Sequence, residues 1–162
     1  MTHRRYFPLS VLLSLLLLVP ALSAQNLLVI NLDGHSTTFT AAQISALPRA
    51  TVTAHDHNAD AQFEGVPLSA LLSSAAIQLG DSLRGPRMAE VLLVSAADGY
   101  RVAFALAEID PAFATREIVL ADKRDGKPLD AKEGPFRIVA PGDKRPARWI
   151  RQVTELRIIA VK

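Results

Sequence analysis

Gln62-Phe63-Glu64-Gly65-Val66-Pro67-Leu68-Ser69-Ala70-Leu71-Leu72 passes from a strand pattern into a helix pattern with no spacer. Apolar Phe63 between polar Gln62 and Glu64 has the two-residue period of a half-buried strand. Pro67 suits a helix start, where its missing amide hydrogen is not needed. Leu68, Leu71, Leu72, Ala75 and Ala76 then recur on one helical face, and Gly80 is the expected C-cap. Upstream, Asp56 to Asp60 reads as a polar turn. It follows a strand from Ala50 to His55, in which Val52 alternates with Thr51 and Thr53.

The same reading extends in both directions. Leu27 to Leu32 is a β-branched-rich strand ended by Asp33-Gly34. Thr40 and Gln43 have the spacing of a capping box for a short helix through Leu47, which Pro48 stops. Toward the C-terminus, Val91 to Val94 leads into Asp98-Gly99, a hairpin signal, and the chain returns through Tyr100 to Leu106. A helical turn at Leu106 to Ile109 ends at Pro111. Strands follow at Glu117 to Ala121, Phe136 to Ala140 and Glu155 to Val161, with a charged turn at Lys123 to Lys127. Many short strands and few helices predict an α+β fold built on mixed β-sheets.

Residues 1–24 read as an export signal. Arg4-Arg5 supply a basic start, Val11 to Val19 are apolar apart from Ser14, and Pro20 precedes the small-residue stretch Ala21-Leu22-Ser23-Ala24. Cleavage after Ala24 or Ser23 would leave a single domain over residues 25–162, periplasmic or secreted, with no membrane span. Arg4-Arg5-Tyr6-Phe7 also partly matches a twin-arginine signal, although the leucine-dense core better suits ordinary secretion. The chain holds 18 Lys and Arg against 16 Asp and Glu. The excess is Arg4 and Arg5 alone, so the remaining domain is neutral and gives no electrostatic basis for nucleic-acid binding. With 0 cysteines, there is no disulfide and no lipid-modified N-terminal cysteine.

Three groups of residues could carry chemistry. Pro141-Gly142-Asp143-Lys144-Arg145-Pro146-Ala147-Arg148-Trp149-Ile150-Arg151 puts four cations in a Pro- and Gly-containing loop whose guanidinium forks suit a phosphate or carboxylate. The alternative is that these arginines pair with Asp122, Asp125, Glu133 or Asp143 and tie loops together. His55 and His57 would share one strand face, about 7 Å apart, and could bind zinc with His35 or Asp60 as a further ligand. Glu108 and Asp110 read as polar residues at a helix end. No nucleophile elbow, phosphate-binding glycine loop or His-Glu-x-x-His helix is present.

The string Phe63-Glu64-Gly65-Val66-Pro67-Leu68, Asp98-Gly99-Tyr100, Leu120-Ala121-Asp122, Asp125-Gly126-Lys127-Pro128-Leu129, Gly134-Pro135-Phe136-Arg137, Pro141-Gly142-Asp143 and Arg148-Trp149-Ile150-Arg151 resembles the oxidoreductase molybdopterin-binding domain family. The resemblance implies the sulfite-oxidase-like fold and, by resemblance alone, a molybdopterin, although no cofactor is expected in this chain. It also implies an anion or pterin facing Arg145 and Arg148, with Trp149 as an apolar wall. In that family a cysteine thiolate holds the molybdenum, in the passage that corresponds to Thr53 through Asn58. This chain has Thr53-Ala54-His55-Asp56-His57-Asn58 there and so lacks the soft donor.

The expected function is an exported binding or accessory protein on this scaffold without molybdenum catalysis, with a small anionic ligand or a periplasmic redox partner. A molybdopterin oxidoreductase with a non-cysteine ligand and a metal-binding protein using His55 and His57 are the alternatives.

Overall fold

The computed structural model describes residues 26–56 and 59–161. The expected signal at 1–24, His57 and Asn58 lie outside them. The strands are β1 (Leu27–Ile30), β2 (Ser36–Phe39), β3 (Ala50–Asp56), β4 (Ala59–Pro67), β5 (Glu90–Ala96), β6 (Arg101–Ala105), β7 (Val119–Arg124), β8 (Lys127–Pro128), β9 (Arg137–Val139) and β10 (Val153–Ala160). Three short α-helices accompany them: α1 (Ala41–Ser45), α2 (Leu68–Ser74) and α3 (Leu106–Ile109).

Two five-stranded sheets result. The first has the order β2-β1-β10-β5-β6, and the second runs β3-β4-β7-β8 with β9 also paired to β7. The β1–β10 pairing is parallel, whereas β10–β5 and β5–β6 are antiparallel. The sheets are mixed and the helices few, as the pattern of short elements implies.

Burial follows the pleat. In β5, Glu90, Leu92, Val94 and Ala96 are buried while the residues between them are half-exposed. Across the register, Leu92 and Val94 face Ile158 and Leu156 of β10, all within one hydrophobic cluster that also takes in Leu68, Leu71 and Leu72 of α2.

The strand-to-helix junction has a specific steric cause. The β4–β7 register shifts between Glu64 and Gly65. A Cβ on Gly65 would lie 2.1 Å from the Leu120 carbonyl oxygen, so no side chain fits there. The Leu68 amide then donates to the Ile118 carbonyl at 2.9 Å, which seats the start of α2 against the approach to β7.

The expected end of α2 is corrected. The helix stops at Ser74, and Ala76, expected on the buried face, is exposed with φ 60. The Ala76 amide bonds to Ser73 O and the Ile77 amide to Leu72 O, both at 3.0 Å, the two bonds of a Schellman motif. Alanine therefore takes the left-handed position that glycine usually fills, and Gly80 opens a separate 3-10 turn, Gly80–Ser82. Buried Ile77 lies two residues past the cap and joins the same hydrophobic cluster as Leu72, and burying it there favours stopping the helix.

Two further readings are corrected: Lys123 and Arg124 complete β7 and Lys127 opens β8, which leaves Asp125 and Gly126 as the turn, and α1 ends at Ser45 before reaching Leu47. Three local readings hold. Thr40 and Gln43 form both halves of the capping box on α1. Gly99 has φ 86, and Asp98 Oδ1 accepts the Tyr100 amide at 2.9 Å. In the β7–β8 turn, Asp125 and Gly126 both have positive φ, and Asp125 Oδ1 also accepts the Gln62 amide from β4 at 2.9 Å.

Candidate functional site

The ends of β3, β7 and β9 converge on a buried charge cluster. Asp56 is the last residue of β3 and is 5% exposed, while Arg137 opens β9 and is 1% exposed. The Arg137 guanidinium donates through Nη1 to Asp56 Oδ2 at 3.1 Å and through Nη2 to Oδ1 at 3.2 Å. Arg124, at the end of β7, donates to Asp56 Oδ2 at 2.9 Å. Glu133 accepts from Arg137 Nη1 at 2.9 Å. Two cations and two carboxylates thus neutralise one another, with Asp56 and Arg137 shut off from water and the Arg124 side chain 35% exposed, and this pairing is the condition under which buried charge is tolerated.

Aromatic rings frame this cluster. Arg137 lies 5.2 Å from the Phe63 ring centroid and 5.6 Å from that of Trp149, and Arg124 lies 5.5 Å from Phe63. Such placements favour a guanidinium over an ammonium. Phe63 and Trp149 meet edge to face at 6.0 Å and 82°. Arg137 Nε is buried with no hydrogen-bond partner, so the cation is held through its two terminal nitrogens and the flanking rings.

The basic loop after β9 forms a second network. Arg148 donates through Nη2 to Asp143 Oδ1 at 2.8 Å and through Nε to Oδ2 at 3.1 Å. Its Nη1 reaches Glu108 Oε2 at 3.2 Å, and its guanidinium lies 4.6 Å from the Phe104 ring centroid. Arg116 joins the same two carboxylates, at 3.0 Å to Asp143 and in close contact with Glu108. The Asp143 hydrogen bond is the largest cause raising the Arg148 pKa above the ordinary arginine value. Glu108, expected to be a plain helix-end residue, is the carboxylate shared by both arginines. Asp110 caps backbone instead, accepting the amides of Gly80 and Ala112 at 2.5 and 2.9 Å.

The three residues singled out in the basic loop are therefore placed differently. Arg145 is exposed and has no ion pair among the described residues. Arg148 is engaged by Asp143 and Glu108. Trp149 is 3% exposed, donates its indole N–H to Ala140 O at 3.1 Å, and packs on the buried cluster.

His55 is exposed, and its Nδ1 lies 2.9 Å from Asp60 Oδ1. His57 is outside the described residues, and His35 lies in the β1–β2 connection of the other sheet. Among the described residues no three His, Cys, Asp or Glu side chains are grouped to hold a metal ion.

Sequence reasoning missed the pairing of Asp56 with Arg137. A signal was available in Phe136-Arg137-Ile138-Val139, because an arginine inside a run of strand apolars needs a buried counter-charge. What the run does not disclose is which carboxylate, 81 residues away, supplies it.

The model of the family described as "Oxidoreductase molybdopterin binding domain" matches residues 37–161. No curated protein matches the chain. Among solved structures, the chain is similar to the sulfane dehydrogenase SoxCD from Paracoccus pantotrophus, with a TM-score of 0.66 at 20% identity. That match covers 83% of this chain and 38% of that one. At this identity the likeness is one of fold, and the chain spans well under half the length of the solved protein.

The residues present do not fit a thiolate-held molybdenum. In the passage Thr53 through Asn58, the described polar side chain that is buried is Asp56, a hard oxygen donor already clamped by two guanidinium groups. Trp149 and Arg148, which the resemblance turns toward the pterin, are committed to the protein's own side chains. The donor set lacks soft sulfur ligation.

Proposed function

The chain belongs to the oxidoreductase molybdopterin-binding-domain family, and we propose that it uses that scaffold as an exported binding or accessory protein without molybdenum catalysis. The observation that carries this reading is the Asp56–Arg137 pair. At the strand end where the resemblance expects the metal-holding thiolate, a carboxylate is bound by Arg137 and Arg124, and the Arg137 guanidinium lies beside the Phe63 and Trp149 rings. A carboxylate so engaged is a poor ligand, since metal coordination would have to displace two charge-assisted hydrogen bonds. The absence of cysteine from all 162 residues leaves no thiolate in this chain.

Export is part of the proposal and rests on Arg4-Arg5, the apolar run from Val11 to Val19 and the small residues before Gln25. Among the described residues, no helix is long and apolar enough to cross a membrane. Cell fractionation tests this part, with the protein expected in the periplasm or medium and shortened at its N-terminus. Recovery of an unprocessed cytoplasmic chain would overturn it.

The catalytic part is tested by elemental analysis of protein purified from molybdenum-replete cells. Molybdenum far below one atom per chain is expected. Stoichiometric molybdenum would replace this reading with a molybdopterin oxidoreductase that uses a non-cysteine ligand.

A further inference from the structure

A cleft of about 300 Å³ is lined by Asp98, Tyr100, Lys132, Trp149, Arg151 and Gln152, among others. Its walls are held by hydrogen bonds of the protein itself. The Tyr100 hydroxyl donates to Ala147 O at 3.0 Å, and the Gln152 side-chain amide donates to Ala131 O at 2.8 Å. The Gln152 backbone accepts the Ala97 amide and donates to Glu133 O, both at 3.0 Å. Gln152 nevertheless has φ 50, a conformation that costs a non-glycine residue free energy and is enriched at ligand sites. The cleft is thus largely formed before any ligand arrives.

Its charges are incompletely matched. Lys132 has no ion pair among the described residues. The carboxylate nearest Arg151 is Glu133 at 3.8 Å, which Arg137 already engages at 2.9 Å. Asp98 adds one carboxylate to the wall, with Oδ1 accepting the Tyr100 amide. Tyr100 is 51% exposed, although its hydroxyl is already satisfied. The lining therefore offers two cations, one carboxylate and one available aromatic ring.

We propose that this cleft binds a small organic acid that also carries a hydrogen-bond donor, an amino or hydroxy acid. The two cations match the acid group or groups. Asp98 matches an ammonium or hydroxyl, and the Tyr100 ring covers the carbon body. The cleft volume is about 300 Å³. That is the small end of the range for ligand sites, and the separate carboxylate and ring of the lining have no partner on an inorganic tetrahedral anion. The inference deepens the binding role proposed above and names a ligand class for it.

Trp149 lines the cleft and is the 1 tryptophan of the chain, so its emission reports on occupancy. The protein as purified is titrated with L-malate, L-glutamate, succinate and sulfate. The expected result is a saturable change with malate or glutamate, at least about fivefold tighter than with succinate, which lacks the donor. Lys132→Met and Arg151→Gln should each weaken binding about tenfold or more, the usual effect of losing a charged hydrogen bond. Both residues are exposed, so unchanged thermal melting will show that the fold persists. Lys127→Met, outside the cleft, should bind like the parent.

The inference is overturned if neither malate nor glutamate saturates at millimolar concentration. It is equally overturned if the Lys132 and Arg151 variants bind like the parent, or if sulfate binds as tightly as the acids. Elemental analysis separates the two proposals: stoichiometric molybdenum removes the non-catalytic reading whatever the titrations give, whereas failed titrations on molybdenum-free protein remove only this cleft.

Discussion

Replacing Asp56 with asparagine would leave Arg137, 1% exposed, with Glu133 as its remaining carboxylate. Two guanidinium groups lose their shared counter-ion. At an effective dielectric of about 20, each charge pair about 4 Å apart contributes about 4 kcal/mol. Two such pairs come to about 8 kcal/mol, and the cost of holding a carboxylate out of water, several kcal/mol, offsets much of it. The net matches the roughly 3–5 kcal/mol usually lost when one partner of a buried pair is removed. Against a domain stability of roughly 5–15 kcal/mol, the variant should sit close to its folding limit. Thermal melting is expected about 10–20 °C lower. The companion Asp56→Leu/Arg137→Met removes both charges and leaves Arg124 near Glu133 at 3.9 Å; it should recover most of the loss, because apolar groups of similar size often replace a buried ion pair at little cost. A loss below about 1 kcal/mol for Asp56→Asn, the range of exposed pairs, would refute the reasoning. It would mean that water reaches Arg137 and that the cluster is not a dry closure.

Three further substitutions test local structure. Gly65→Ala would force a Cβ to within 2.1 Å of Leu120 O; denaturant unfolding should show a loss at or above the roughly 1–3 kcal/mol typical of overpacking, because a strand backbone cannot yield as a side chain does. Ala76→Gly should stabilise by about 0.5–1 kcal/mol in the same assay, since glycine at φ 60 avoids the roughly 1–2 kcal/mol left-handed penalty and returns part of it as chain entropy. Thr40→Ala removes the oxygen that accepts the Gln43 amide at 3.2 Å and should cost about 1 kcal/mol, with the loss of hydrogen-exchange protection confined to α1.

Local chemistry was the most legible part of the chain. The Thr40 and Gln43 pair and the Asp98-Gly99 turn are complete within four residues, so their partners are written beside them. The α2 terminus failed for a related reason. Gly80 carried the usual stop signal, but burial of Ile77 in the cluster that holds Leu72 favoured an earlier end and imposed a left-handed alanine. Tertiary packing overrode the propensity. The motif string pointed to the right family because each motif answers to a fixed geometric demand, as Gly65 does against Leu120. The charge cluster was hidden because its members come from three strand ends and the Glu133 loop. Asp56 looked like one more polar residue in a turn, and the basic loop drew attention that its own Asp143 largely absorbs.

The parallel pairing of β1 with β10 has a consequence for how the molecule is made. Leu28 lies opposite Glu155 and Ile30 opposite Arg157, so the first and the last of the described strands are neighbours in the first sheet. During synthesis β1 and β2 can form a hairpin, and β5 and β6 another, but the two remain separate until β10 emerges and slides between them. Contacts spanning nearly the whole chain make this closing step slow. A polypeptide cut short before Val153 would therefore leave the β1–β2 and β5–β6 hairpins of the first sheet unjoined, each with an exposed edge.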